Sequence, residues 1–455
     1  MATTTRFAAC LALSLLPQAA QSAELLGRAV LPATTFSPGP TSGQFIATAN
    51  GISVPFQAAQ PVQGFSAVLP GPSAGSYYVL SDNGFGAQNN SADALLRVYG
   101  VRPDFTTGTV SAANVQTGAA LPSFGAGSFI QLSDPNRLAS FPTVADGTTY
   151  PGSTIAVDPA ITAGRLLTGA DFDPESFRRL ADGSFYFGEE FGPFLLHTNA
   201  SGALIDRPTP LPNSLGLGTN PLVQSPQYPA DTTGGLPPLT TANLGSSRGF
   251  EGMALNTSGT RLLALLEGAL TTDPQRDRLL INEFDVATRT YTGRVFQYRL
   301  DNPAHAIGDL TALSDTEFLV IERDNNQGAA AAFKRIFRIN TASIGADGFV
   351  SKTQVADLLN ISDPNALGGN GTVNGVFTFP FVTIESVLPI NDRTLLVIND
   401  NNFPFSSGRT PGQADNNEFI LIGLDAPLAV PEPGSLLLLA TVAGLSALRR
   451  RTQRR

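Results

Sequence analysis

The sequence contains no tryptophan, one cysteine, two methionines and two histidines in 455 residues. Each scarcity excludes some chemistry. Cys10 stands alone, so no disulfide forms within the chain. A zinc site of histidines and cysteines lacks ligands. A Ser-His-Asp mechanism needs a histidine beside a nucleophile and an acid, and only His197 and His305 are on offer. There is no G-x-S-x-G elbow, no H-E-x-x-H helix, no P-loop and no dinucleotide fingerprint. Helical periodicity is almost absent. Basic residues are also short, 28 against 37 acids, for a formal charge of −9.

Both ends read as processing signals. Arg6 precedes a short apolar stretch, and Ala20, Ser22 and Ala23 are the small residues a signal peptidase accepts. Cleavage is expected near Ala23. At the other end a Pro-rich hinge leads to a largely apolar run over 435–448. Arg449, Arg450, Arg451, Arg454 and Arg455 follow it. That run is shorter than the roughly 20 residues of a comfortable membrane span. The arginines would hold it on the cytoplasmic side. The division is therefore 1–23 leader, 24–427 body and 428–455 tail. The body keeps 22 basic and 36 acidic residues, a formal charge of −14. This excludes nucleic acid as a natural partner and suits a protein that handles cations or sits in a polysaccharide matrix. Without disulfides the body relies on a large core, which about 400 residues can supply.

The tail, with Val430-Pro431-Glu432-Pro433 before an apolar helix and arginines, resembles the bacterial PEP-CTERM sorting signal. The resemblance implies cutting by an exosortase and delivery to the cell surface or extracellular matrix. Membrane association through the tail is transient or retained.

Short apolar strands bounded by Gly, Asn and Asp fill the body, so the fold class is all-β in one large domain. Five units repeat. Their opening polar residues are Ser66, Glu175, Glu251, Asp309 and Glu385. Their closing acids are Asp82, Glu189, Glu267, Glu322 and Asp400, at separations of 16, 14, 16, 13 and 15. Two strands of five or six residues and a tight turn use about 14 residues. Opening and closing residues therefore return to one end of a sheet. Repeated sheets of this kind bury both faces by radial packing, which is a β-propeller. Six blades are expected, with five or seven as alternatives. A further blade is sought within 109–167, and the strand at 25–31 is expected to complete the last one. Residues 208–244 and 362–374 read as surface loops. The other architecture is a β-sandwich followed by a second β domain.

In a propeller the acids converge on one channel end, where they repel unless protonated or bound to a cation. Carboxylate and amide oxygens suit Ca²⁺ or another hard divalent cation. The candidate ligands are Asn83, Glu175, Glu189, Glu251, Glu385 and Asp400. Asp82-Asn83-Gly84 and Asp400-Asn401-Asn402 equally read as turns, whereas glutamate has little turn preference. Glu251, Glu322 and His305 are the candidate catalytic groups. Arg248 and Arg323 are candidates to contact an anionic substrate, or to pair with adjacent acids. A phosphoester enters an acidic channel only where metal reverses the local field.

The strings LSDNGFG, DFDPESF, GSFYFGEEFGPFLLHTNASG, RGFEGMALN and LLVINDNNFPFS resemble the phytase-like family, "esterase-like activity of phytase". The resemblance covers about 27–425. It implies a propeller-like fold and hydrolysis of phosphate or carboxylic esters. The metal-dependent lactonase propellers offer a similar ligand set. The expected activity is an exported, calcium-dependent hydrolase of a phosphoester, carboxylic ester or lactone. The second reading is a non-enzymatic surface or matrix module with structural calcium. A third, carbohydrate binding, rests on Phe191, Phe194, Phe403 and Phe405 in suitable loops.

Overall fold

Runs such as Arg261–Leu266 and Glu317–Arg323 are almost continuously apolar, and they become strands buried on both faces. Strands that end a repeat instead mix exposed and buried positions, as Thr290–Arg299 does. That difference places the repeat's first two strands inside and its last outside. The computed structural model describes residues 23–231 and 234–428. Apart from Ala23 and Leu428, the expected leader and sorting tail lie outside the described residues. No helix among the described residues is long and apolar enough to cross a membrane.

The all-β expectation holds. The first antiparallel group is Phe65–Pro70, Tyr77–Ser81, Arg97–Asp104 and Thr109–Ala112. The second is Pro174–Arg179, Phe185–Glu189, Phe194–Thr198 and Thr209–Pro210. The third is Phe250–Leu255, Arg261–Leu266, Arg278–Asp285 and Thr290–Arg299. The fourth is Ala306–Ala312, Glu317–Arg323, Lys334–Ile344 and Val350–Asp357. The fifth is Ser386–Asn391, Thr394–Ile398 and Asn417–Leu424, and Ala23–Leu31 adds its fourth strand antiparallel to Asn417–Leu424. The N-terminal strand thus completes the last group, as its sequence suggests.

The first strands of the groups touch in order, first to second and onward, and the fifth touches the first. Five apolar clusters fill the five gaps. Phe177, Phe185 and Phe187 meet Leu80 and Val98 between the first two groups. Phe250 and Leu262 meet Tyr186 and Leu195 in the next gap. The remaining gaps are packed by Leu265 with Val320, Ile321 with Val397, and Ile398 with Val79. Phenylalanine supplies the bulk that tryptophan supplies elsewhere. The Phe177 and Phe187 rings stack with centroids 5.9 Å apart.

Six groups were expected, and the described residues form five. The segment sought as a further blade does not make one. Thr109–Ala112 closes the first group, and Phe129–Gln131 pairs with the edge of Arg97–Asp104. Beyond them lie the short helix Pro159–Gly164 and a small cluster around Tyr150 and Ile161. Its apolar residues are too scattered to form strands buried on both faces. The described residues of 208–244 are irregular apart from the two-residue strand Thr209–Pro210.

The space inside the ring is crossed by a buried ion pair. Arg178 of the second group lies 3.3 Å from Asp309 of the fourth, and also donates to the Leu310 carbonyl at 2.7 Å and Thr311 Oγ1 at 2.9 Å. The other Asp309 oxygen accepts the Val387 N–H of the fifth group at 2.9 Å. Burial still pushes Asp309 up to about 6, against the pull of Arg178. Replacing Arg178 with methionine leaves that carboxylate without its charge partner. The expected loss is roughly 3–5 kcal/mol in a denaturant melt.

Candidate metal centre at one end of the ring

The acids gather because of a repeated defect in pairing. In four groups the register between first and second strand slips at the same place. The unpaired residues are Ser66, Glu175, Glu251 and Gly308. A β-bulge bends the strand and re-aims one side chain. Glu385 stands just before its strand in the fifth group. Glycine is required at 308, because a Cβ there would lie 2.0 Å from the Ile384 carbonyl oxygen. The repeat position in the fourth unit is therefore Gly308. Asp309, one residue on, points into the ring toward Arg178.

Glu175, Glu251 and Glu385 line a cavity of about 120 Å³ with Asp82, Asp173, Glu190, Glu267 and Asp400. Arg323 is the one basic residue lining it among the described residues. It lies 3.0 Å from Glu267, 3.5 Å from Glu251 and 3.6 Å from Glu385. The Asp82–Asp173–Glu175 side has no such partner. Single oxygens of these three carboxylates lie within 4.8 Å of one another.

Crowding and burial show in the protonation equilibria. Burial, then the Asp82 charge, pushes Asp173 and Glu175 well above the usual carboxylate range. Burial followed by neighbouring acids does the same to Glu190 and Glu385. Glu251 is pushed up to about 8 by burial and Glu267, and Asp400 to about 7 by burial and Asp82.

These residues fit a hard divalent cation. Asp173 Oδ1 and Glu190 Oε1 are buried oxygens with no hydrogen-bond partner among the described residues, and Glu251 Oε1 meets only the Arg323 guanidinium, 3.5 Å away. Unpaired buried carboxylate oxygens are costly unless an ion or proton satisfies them. The 4.8 Å span matches oxygens on a shell of 2.3–2.6 Å bonds.

Other expected ligands are occupied elsewhere. Glu189 turns away from the cavity, and accepts the N–H groups of Phe191 at 2.9 Å, Gly192 at 2.7 Å and Phe194 at 2.8 Å. It braces a loop, and its neighbour Glu190 faces the acids. Asn83 borders the cavity, but its amide oxygen accepts N–H groups from Phe85 and Gly86. Asp82 and Asp173 were not among the expected ligands.

Glu322 does not line the acidic cavity either. It accepts from Tyr298 and the Asp301 N–H, both at 2.7 Å, from His305 Nδ1 at 2.8 Å and from Lys352 at 2.5 Å. With its oxygens so engaged it is an anchor for His305 rather than a base. His305 faces a neighbouring pocket that it shares with Arg248. Arg248 is partly exposed and pairs with Glu267 at 2.6 Å.

His197 has the connectivity of a triad, with Asp206 at 2.6 Å from Nδ1 and Ser184 Oγ at 3.1 Å from Nε2. Yet Ser184 and His197 are only 6% and 4% exposed. The Ser184 hydroxyl donates to Asp182 at 2.6 Å, and the imidazole stacks on Tyr186. This constellation ties strands of the second group together.

A family model described as "Phytase-like: Esterase-like activity of phytase" matches residues 60–403. An uncharacterized secreted protein of Arthroderma benhamiae is 26% identical over 255 residues, 50% of this chain and 48% of that one. The chain thus spans about half the length of that curated relative. Among solved structures, a luciferin-regenerating enzyme is 10% identical, with 90% of this chain and 98% of that one covered, at a TM-score of 0.36. A regucalcin from Agrobacterium tumefaciens, described as a calcium-binding protein, is also 10% identical. The match covers 88% and 98% of the two chains at a TM-score of 0.33. At these TM-scores neither structure carries an argument about this chain.

Proposed function

We propose, on the premise that the chain belongs to the phytase-like family, that it is an exported hydrolase of a phosphoester, carboxylic ester or lactone. It works with Ca²⁺ or another hard divalent cation at the acidic end of a five-bladed propeller. The observation that carries this reading is the Asp82–Asp173–Glu175 cluster, with its unpartnered Asp173 oxygen. Asp82, Asp173 and Glu175 would hold the cation, which supplies Lewis-acid polarisation of the ester oxygen when bound. Glu251, whose Oε1 accepts no hydrogen bond and meets only Arg323 at 3.5 Å, holds or accepts the proton moved in the reaction. Arg323 is fixed by Glu267 and Glu385, and its Nε has no hydrogen-bond partner, so it can donate to a developing negative oxygen. The leader, the sorting tail and the secreted relative support export to the cell surface or matrix.

The test is a screen of chromogenic carboxylic esters, lactones and phosphoesters with and without calcium. Hydrolysis should fall at least 100-fold on chelation and return with the cation. Stoichiometric calcium binding without hydrolysis of any class would sink the enzyme and favour the surface-module reading.

A further inference from the structure

A second pocket, of about 250 Å³, opens between the third and fourth groups. It shares Glu267 with the acidic cavity, so one side chain walls the two spaces from each other. Its character is the reverse of its neighbour's. Arg248, Arg276 and His305 line it, over an apolar floor of Leu279 and Leu300. Among the described residues Glu267 is its only acid, and that carboxylate is already divided between Arg248 at 2.6 Å and Arg323 at 3.0 Å.

Arg276 donates to the Leu270 carbonyl and pairs with no carboxylate among the described residues. His305 presents a free ring edge. Glu322 already accepts from Tyr298, the Asp301 N–H and Lys352, donors that suit a carboxylate, and this assigns the proton to the His305 Nδ1 that faces it. The other nitrogen, Nε2, has no hydrogen-bond partner among the described residues. Two guanidinium groups and an oriented imidazole around a small pocket are a receptor for a compact oxyanion.

We infer that this pocket seats an anionic group of the substrate, a phosphoryl or a carboxylate, while the bond to be broken lies across Glu267 among the acids. The substrate class is then an ester or lactone with an oxyanion remote from the reacting bond. Its place in a reaction rests on the hydrolase reading, but anion binding does not.

The two histidines of the chain make the test direct, because only their imidazole signals appear in a histidine-selective NMR spectrum. Inorganic phosphate, and separately acetate, is titrated into the full chain and into the Asp173→Asn variant. His305 should shift in both proteins, and His197 in neither. The tighter-binding anion tells phosphoryl from carboxylate. Arg276→Ala, an exposed change, should weaken that binding about tenfold. An unmoved His305 at tens of millimolar of either anion, or equal affinity in Arg276→Ala, overturns the pocket. For any ester that is hydrolysed, Arg276→Ala should raise KM for an acid-bearing substrate about tenfold and leave its neutral analogue unchanged. An anion-induced shift without hydrolysis would keep the pocket and remove the hydrolase. Hydrolysis with no shift would do the reverse.

Discussion

Asp173→Asn should change the stability of the protein in opposite directions with and without a divalent cation. In chelator the variant should melt higher than the parent. Asp173 is buried against Asp82 and Glu175, and one of its oxygens has no partner. A buried acid costs stability whether it stays charged or holds a proton that the unfolded chain releases, and an amide removes that cost, an effect of about 1–3 kcal/mol. In calcium the order should invert. Loss of one of three clustered carboxylates should weaken the cation about 100-fold or more, and the stabilisation drawn from bound cation falls with it. Calorimetric titration and paired melts measure both effects. A variant that binds calcium as tightly as the parent would place the ion elsewhere.

Stability against pH should run opposite to ordinary acid denaturation, and only while the cation is absent. Glu251 is held near 8 against a usual 4.5, and Asp400 near 7 against 3.8. A carboxyl raised in this way keeps a proton in the fold that the unfolded chain has released. Between about pH 4 and pH 8 the native state therefore binds more protons, and stability falls as pH rises. At about 1.4 kcal/mol per pH unit for one group, Glu251 alone amounts to about 5 kcal/mol across the window. A decline of roughly 5–10 °C from pH 5 to pH 8 in chelator is the expected reading. Saturating calcium should flatten or reverse it, because the cation binds the deprotonated acids. A chelated protein that melts higher at pH 8 than at pH 5 would show that the acids ionise without penalty.

The convergence of acids at one end of the sheets was legible in the repeat, whereas which side chains line the cavity was not, for two reasons. Glu175, Glu251 and Glu385 stood out because glutamate has no turn to explain it and the three recur at one repeat position. Asp82 and Asp173 are equally central, but they sit beside Asn83-Gly84 and Pro174, where an aspartate has an ordinary local role. The choice between Glu189 and Glu190 depends on which of two adjacent side chains faces inward. Glu189 ends its strand and Glu190 lies just beyond it, where strand alternation no longer sets the facing, and composition does not reveal the difference. In the fourth unit the bulge shifts the phase by one residue and exchanges Gly308 for Asp309. Six groups were favoured with five and seven open, and the described residues form five. Length alone suggested room for another blade over 109–167, and that segment instead packs as an appendage to the first group.

The bulge gives four of the five groups a socket, and at Ser66, Glu175 and Glu251 its side chain can be changed without touching the sheet around it. Two sockets hold glutamate, Ser66 fills a third with a small hydroxyl, and Gly308 is kept bare by the Ile384 carbonyl. A lineage can therefore add, drop or swap a ligand by changing one codon, while the pairing that holds the ring together stays as it was. Relatives that share this scaffold are free to diverge in cargo long before they diverge in shape.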